Sequence, residues 1–239
     1  MVVAADVEAT LRVDAAAAEH NRAMPAFVHG FICFIPLIIS VGIVLFADRQ
    51  IRFTQIVTAV VTGFGVFLPI TVFQTLFTSF PFFAKNPENI YSLFFLSLFI
   101  NGLLEEGIKA VFLFFLKPAK LSQKTFFLLS VVCGITAGCA EALIYLKYGL
   151  LQIPVRFMAI VLHGFCAGLS SFAFKTADSG KKTLLPLFLS VLVHGLYDFF
   201  CSLGGYYMIF AVVCVVFLCF QCASYSAKYF DKPQSFDVG

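Results

Sequence analysis

The chain alternates long apolar runs with short polar breaks. Runs built mostly of Phe, Leu, Ile, Val and small residues fall at about 27–47, 55–80, 91–116, 126–147, 152–174, 184–203 and 206–227. Each is close to or above the roughly 20 residues that carry a helix across the hydrocarbon core of a bilayer. An apolar run in lipid must satisfy its own backbone hydrogen bonds, and a helix is how a single run does so. The pattern therefore predicts an all-α, polytopic membrane helix bundle of about seven transmembrane helices. Pro36 and Pro69 lie inside the first and second runs, where they are expected to bend the helix. The breaks are as short as Asp48-Arg49-Gln50, Lys85-Asn86-Pro87-Glu88, Lys117-Pro118-Ala119-Lys120 and Asp178-Ser179-Gly180-Lys181-Lys182, leaving no room for a soluble domain between them. No internal repeat is visible. The expected organisation is a short polar segment over 1–24, one transmembrane domain over 25–229 whose polar motifs fall in 91–203, and a tail over 230–239.

Composition sharpens this reading. Hydrophobic residues make up 61% of the chain and charged residues 12%, with 32 Phe and no Trp. A soluble domain carries about 45–50% apolar and about 25% charged residues. The net charge of +3 is small, and no basic, aromatic-interleaved patch is present, so nucleic acid is not an expected partner. The eight Cys sit mostly within apolar runs, where Cys behaves as a small hydrophobe. The lone Cys219–Cys222 pair has the spacing of a metal or redox motif, but it lacks a second pair and a neighbouring His. The acidic residues of the first 24 positions do not suit a cleavable signal peptide.

Basic residues set an expected orientation. With seven spans, Arg49, Arg52, Lys117, Lys120, Lys124, Lys175, Lys181, Lys182, Lys228 and Lys232 collect on one side; Arg12, Arg22, Lys85 and Lys147 collect on the other. The positive-inside rule then gives an N-out, C-in topology, in the inner (cytoplasmic) membrane of the cell.

Several charges remain inside the predicted spans, where each costs about 2.5–3.5 kcal/mol at the helix centre. The third span carries Asn101, Glu105, Glu106 and Lys109; the fourth Glu141; the fifth Arg156 and His163; the sixth His194 and Asp198. Two adjacent carboxyls at this depth cannot both ionise freely, and Lys109 is three or four residues from each, within reach on a helix. A carboxylate held in this way can serve as a general base or acid. Any one of these residues alone reads as interhelical glue. The set of two Glu, a Lys, two His and an Asp exceeds what glue requires. Gly134/Gly138 and Gly164/Gly168 form two GxxxG pairs beside Glu141 and His163, expected to let helices approach closely.

These residues, taken in order, resemble the PrsW family of intramembrane proteases, within the wider superfamily of CAAX-prenyl endoproteases and bacteriocin-processing enzymes. Glu105-Glu106-Gly107-Ile108-Lys109 looks like its EExxK motif, Glu141 like the Glu of its second motif, Arg156 with His163, Gly164 and Gly168 like its third, and His194-Gly195-Leu196-Tyr197-Asp198 like its last. The match covers about residues 90–200. It departs from the pattern at Asp198, where Asn is commoner, and at Ala142. The resemblance implies a multi-pass protease that cuts a membrane-anchored protein, such as an anti-sigma factor, on the extracytoplasmic side. A distant cousin, the scaffold subunit of γ-secretase, has a related seven-span, N-out arrangement.

The mechanism expected on this basis is peptide hydrolysis by water. Glu105 acts as general base with help from His163. His194, positioned by Asp198, polarises the carbonyl or stabilises the oxyanion. Glu106 and Lys109 form a supporting pair, and Glu141 and Arg156 support the site or face substrate. No cofactor is required by this scheme. An alternative places Zn²⁺ on Glu105, His163 and His194 with Glu141 or Asp198, although no HExxH motif is present. Other readings are a proton-coupled transporter, disfavoured by the missing repeat, and a non-catalytic membrane scaffold. The proteolytic readings require Glu105, His163 and His194 to converge around a water-accessible cavity.

Overall fold

The computed structural model describes residues 26–80, 89–145, 153–175 and 184–230. The expected segment 1–24, all but the first residue of the expected tail over 230–239, and the loops holding Lys85, Lys147 and Lys181 lie outside what it describes. Among the described residues the protein is helical without strands. The helices are α1 (Ala26–Ala47), α2 (Phe53–Thr78), α3 (Ile90–Leu96), α4 (Glu106–Leu113), α5 (Gln123–Tyr145), α6 (Ile153–Lys175), α7 (Leu185–Leu203) and α8 (Met208–Tyr229). Six of them (α1, α2, α5, α6, α7 and α8) are long and apolar enough to cross a bilayer. Their outer surface carries fully apolar side chains such as Phe31, Ile43, Phe46, Leu68, Phe188 and Phe220, each more than half exposed. A surface of this kind is stable against lipid and not against water.

The third predicted run departs from a uniform helix. Between α3 and α4 the chain forms a π-helical segment, Ser97–Glu105, and α4 runs into a 3₁₀ turn, Phe114–Leu116. Wide turns of this kind shift every later residue relative to an unbroken α-helix and are frequent at functional sites. Here the segment lies against α7 at a glycine crossing. A Cβ at Gly102 would stand 2.5 Å from the carbonyl oxygen of Val191, and one at Gly195 would stand 2.8 Å from the Cα of Leu98. Neither helix could approach so closely with any larger residue. Lys117, in the left-handed region at φ 56°, then ends the run ahead of Pro118.

α5 and α6 form the centre. Two-thirds of each is buried, against 22% for α1 and α8 at the periphery. Both GxxxG pairs lie in the α5–α6 crossing: a Cβ at Gly134 would meet the carbonyl oxygen of His163 at 2.3 Å, and Gly168 faces Val131 and Phe127. The α5 face opposite packs on α2, where Gly63 meets the Cys133 carbonyl. Ser122 caps α5 by accepting from the Thr125 amide at 3.0 Å.

Two ends can be told apart. Asp48, after α1, accepts from the Thr125 hydroxyl at the start of α5, at 2.7 Å, and Phe114 packs on Phe174 near the end of α6. At the opposite end, Gln74 near the end of α2, Glu141 near the end of α5, Arg156 near the start of α6 and Ser202 near the end of α7 border one cavity.

Candidate active site

That cavity, of about 410 Å³, runs inward from the second end of the bundle. It is walled by α2, the π-helical segment, α5, α6 and α7. All the predicted site residues except Glu106 line it. Glu106 sits directly behind the wall and is fully buried. Glu105 (6% exposed), Lys109 (1%), His163 (4%) and His194 (1%) are also buried, while Glu141, Arg156 and Asp198 are partly accessible.

The two adjacent glutamates point apart. Glu105 turns into the cavity. Its Oε1 accepts from Gln74 Nε2 at 2.7 Å, and its Oε2 stands 3.8 Å from His194 Nε2. Glu106 turns into the protein, where its Oε1 accepts from both Lys109 Nζ and His194 Nδ1, the latter at 2.5 Å. Lys109 thus pairs with Glu106 three residues before it, not with Glu105 one α-turn before it.

Lys109 also reaches His163 Nδ1 at 2.9 Å, and His163 Nε2 lies 2.7 Å from Glu141 Oε2. An ammonium group has donors and no acceptor. With Lys109 donating to Nδ1, His163 carries its proton on Nε2 and gives it to Glu141. The result is a continuous chain, Glu141–His163–Lys109–Glu106–His194, that follows the cavity wall except at Glu106, which lies behind it. The two imidazoles stand perpendicular, with centroids 4.9 Å apart. Arg156 stacks over the Tyr145 ring at 3.6 Å, and its Nη1 lies 3.8 Å from Glu141 Oε1.

Two expected pairings take a definite form. Asp198 stands beside His194, with its Oδ2 3.6 Å from Nε2 on the same side as Glu105, while Glu106 occupies Nδ1. The i,i+4 spacing puts Asp198 near the ring but over its cavity edge. His163 makes no hydrogen bond to Glu105, because both its ring nitrogens are engaged elsewhere. Gln74 was not anticipated. Its only signal in the sequence is an amide within an apolar run that also begins with Gln55.

Metal ligation is geometrically close. Glu105, His163 and His194 bring one donor atom each to within 4.8 Å of one another, as do Glu106, Cys166 and His194. A histidine ligates through a nitrogen lone pair. In this arrangement Lys109 covers Nδ1 of His163 and the proton donated to Glu141 occupies Nε2. In the second set, His194 Nδ1 and Glu106 Oε1 already bond to each other. The donor sets as arranged therefore do not fit a metal ion.

Comparison with protein-family models, with curated proteins and with solved structures gives no match.

Proposed function

We propose that the protein is a membrane-embedded peptide hydrolase that cleaves a membrane-anchored polypeptide with Glu105-activated water. One observation carries the reading. Glu105 and His194 face each other at 3.8 Å across the wall of a cavity within an apolar bundle, and each is held by a further side chain, Glu105 by Gln74 on the cavity wall and His194 by Glu106 buried behind it. A gap of 3.8 Å lets one water hydrogen-bond both groups.

In this mechanism Glu105 takes a proton from that water as its oxygen adds to the scissile carbonyl carbon. The oxyanion collapses, the C–N bond breaks, and the amine nitrogen leaves with the proton returned by Glu105. His194 Nε2, aimed by its Nδ1 bond to Glu106, binds the water before attack and, when protonated, donates to the oxyanion. Asn101, also on the wall, hydrogen-bonds the Asp198 side chain. Glu141 and Arg156 stand nearer the mouth, where a substrate strand would enter.

The proposal includes a seventh span. Ile90–Leu116, helical throughout in mixed turns, would cross between α2 and α5. With N-out, C-in topology the cavity then opens on the extracytoplasmic side. Substrates of the anti-sigma-factor kind, with a single membrane anchor, suit such a site.

The test compares new protein N-termini in membranes of cells expressing the wild type or Glu105→Gln at equal levels. A defined set of membrane-protein fragments present only with the wild type is expected. Identical N-terminal profiles, together with no cleavage of tagged single-span proteins by the purified wild type in liposomes, would refute the hydrolase reading.

A further inference from the structure

The opposite end of the bundle carries a second pocket, about 500 Å³ in volume, between the start of α2 and the loop leading into α5. Its lining has three cations, Arg52, Lys117 and Lys120, and no acidic residue. None of the three has an ion-pair partner among the described residues. The nearest acid in sequence, Asp48, is not part of the lining; its carboxylate is engaged by two residues that are, accepting from the Gln50 amide at 3.1 Å and from the Thr125 hydroxyl at 2.7 Å. Gln50 and Thr54 add an amide and a hydroxyl to the lining, while the Ser122 hydroxyl is engaged by Thr125.

The floor is apolar, formed by Leu116 and Leu129, both buried. On one flank the pocket continues into the exposed apolar face of α2, where Val57, Val61, Phe64 and Leu68 follow each other at helical spacing. Lys117 occupies a left-handed backbone position at φ 56°, a conformation that costs a lysine more than a glycine. Gln55, in the same pocket, lies 19 residues before Gln74 along one helix. At 1.5 Å per residue that separation is about 30 Å, one hydrocarbon thickness, so the pocket sits at one bilayer interface while Gln74 marks the other.

We infer that this pocket binds the phosphate group of an anionic phospholipid, with the headgroup among Arg52, Lys117 and Lys120 and the acyl chains along α2. Three cations without an ion-pair partner among the described residues, with the Thr54 hydroxyl beside them, match a phosphate's charge and acceptor oxygens. The adjoining apolar stripe distinguishes a lipid from a free ion. Basic pockets at the cytoplasmic interface of membrane proteins take such headgroups. This inference is independent of the hydrolase reading, since the pocket and the cavity share no residue.

The test uses the full chain in phosphatidylcholine nanodiscs with and without phosphatidylglycerol, and counts retained phosphatidylglycerol by native mass spectrometry after release into detergent. One variant combines Arg52→Gln, Lys117→Gly and Lys120→Gln; the glycine keeps the left-handed backbone without strain. A charge-matched control combines Arg49→Gln, Lys124→Gln and Lys228→Gln, none of which lines the pocket. The wild type and control are expected to retain the lipid, and the pocket variant to retain it at least about tenfold less tightly. A parallel arm adds inorganic phosphate to the protein in pure phosphatidylcholine. Thermal protection of the wild type but not of the pocket variant, without lipid retention, would keep the phosphate site and assign it a soluble ligand. Equal behaviour of wild type and pocket variant in both arms, or an equal loss in the control, would overturn the proposal.

Discussion

His194 Nδ1 lies 2.5 Å from Oε1 of Glu106, a carboxylate with no exposed surface. The bond decides which edge of the imidazole faces the cavity. A carboxylate accepts, so Nδ1 carries a proton, and Nε2 is left toward Glu105 and Asp198. The inner glutamate therefore aims the histidine, and the outer one faces the cavity.

Glu106→Gln tests that division. The amide can still accept from one donor but cannot balance the buried ammonium of Lys109. Activity is expected to fall together with thermal stability, whereas Glu105→Gln is expected to abolish cleavage with stability unchanged or raised. Cleavage of a tagged single-span substrate, read beside the melting temperature of each purified variant, separates the two. A Glu106→Gln enzyme with full activity and an unchanged melting temperature would remove Glu106 from the aiming role.

Lys109→Met leaves the Glu106 carboxylate without its counter-charge at a site with no access to water. Removing one partner of a buried pair costs about 3–5 kcal/mol. The steady-state level in membranes is expected to drop sharply, and the double variant Lys109→Met/Glu106→Leu is expected to recover much of it. Immunoblots of both strains check this. A single variant at wild-type level would mean that the pair contributes little to folding.

The glycine crossing between α5 and α6 gives a third expectation. At Gly134 an added methyl would meet the His163 carbonyl at 2.3 Å, so α6 must move away. Gly134→Ala is expected to destabilise on the order of 1–3 kcal/mol and to loosen the His163–Glu141 contact. Gly107, by contrast, has nothing within 4 Å of its missing Cβ, and Gly107→Ala in α4 is expected to be neutral or stabilising by up to about 1 kcal/mol. Thermal unfolding of the two variants in detergent decides the matter; equal effects would show that the crossing is not tight.

Much of this was legible in the sequence, for definite reasons. The apolar runs locate the six long helices to within a few residues, because hydrophobic length is a direct response to bilayer thickness. The residues that gather at the cavity could be named because charges inside apolar runs are costly enough to stand out. Their pairings could not be read. Lys109 is spaced equally well for Glu105 and Glu106, and the π-helical segment that ends at Glu105, packed on α7 at Gly102, changes where each glutamate points. Asp198 shares a face with His194 on an ideal helix, which says nothing about which ring nitrogen it meets. Gln74 went unnoticed because one amide in a long run is an ordinary event, and only the fold brings it to Glu105.

Topology yields a fourth prediction. In a background with Cys201 and Cys219 changed to Ser, the remaining thiols of the described residues are buried. Ser202→Cys, at the mouth of the cavity, is expected to react with an impermeant maleimide in intact cells. Gln50→Cys, at the phosphate pocket, is expected to react only after the membrane is opened. The reverse pattern would invert the bundle and place the cavity on the cytoplasmic side.

The last prediction concerns metal. His163 could ligate only through a nitrogen lone pair, and both nitrogens are committed: Nδ1 accepts from Lys109 at 2.9 Å, and Nε2 donates to Glu141 at 2.7 Å. Freeing Nε2 would require a proton on Nδ1, directly against an ammonium that can only donate. Lys109 would have to leave Glu106 or lose its own proton, and either change undoes the buried ion pair. Hydrolysis is therefore expected to survive exhaustive chelation. His163→Asn keeps an acceptor near the Nδ1 position and so retains the link to Lys109. It is expected to keep measurable activity, reduced by about ten- to a hundred-fold, as for loss of a supporting hydrogen bond. A ligand would not tolerate the change so well. Activity lost on chelation and restored by zinc alone, with His163→Asn inert and unable to bind zinc, would show that the network rearranges to admit a metal and that His163 belongs to the reacting centre.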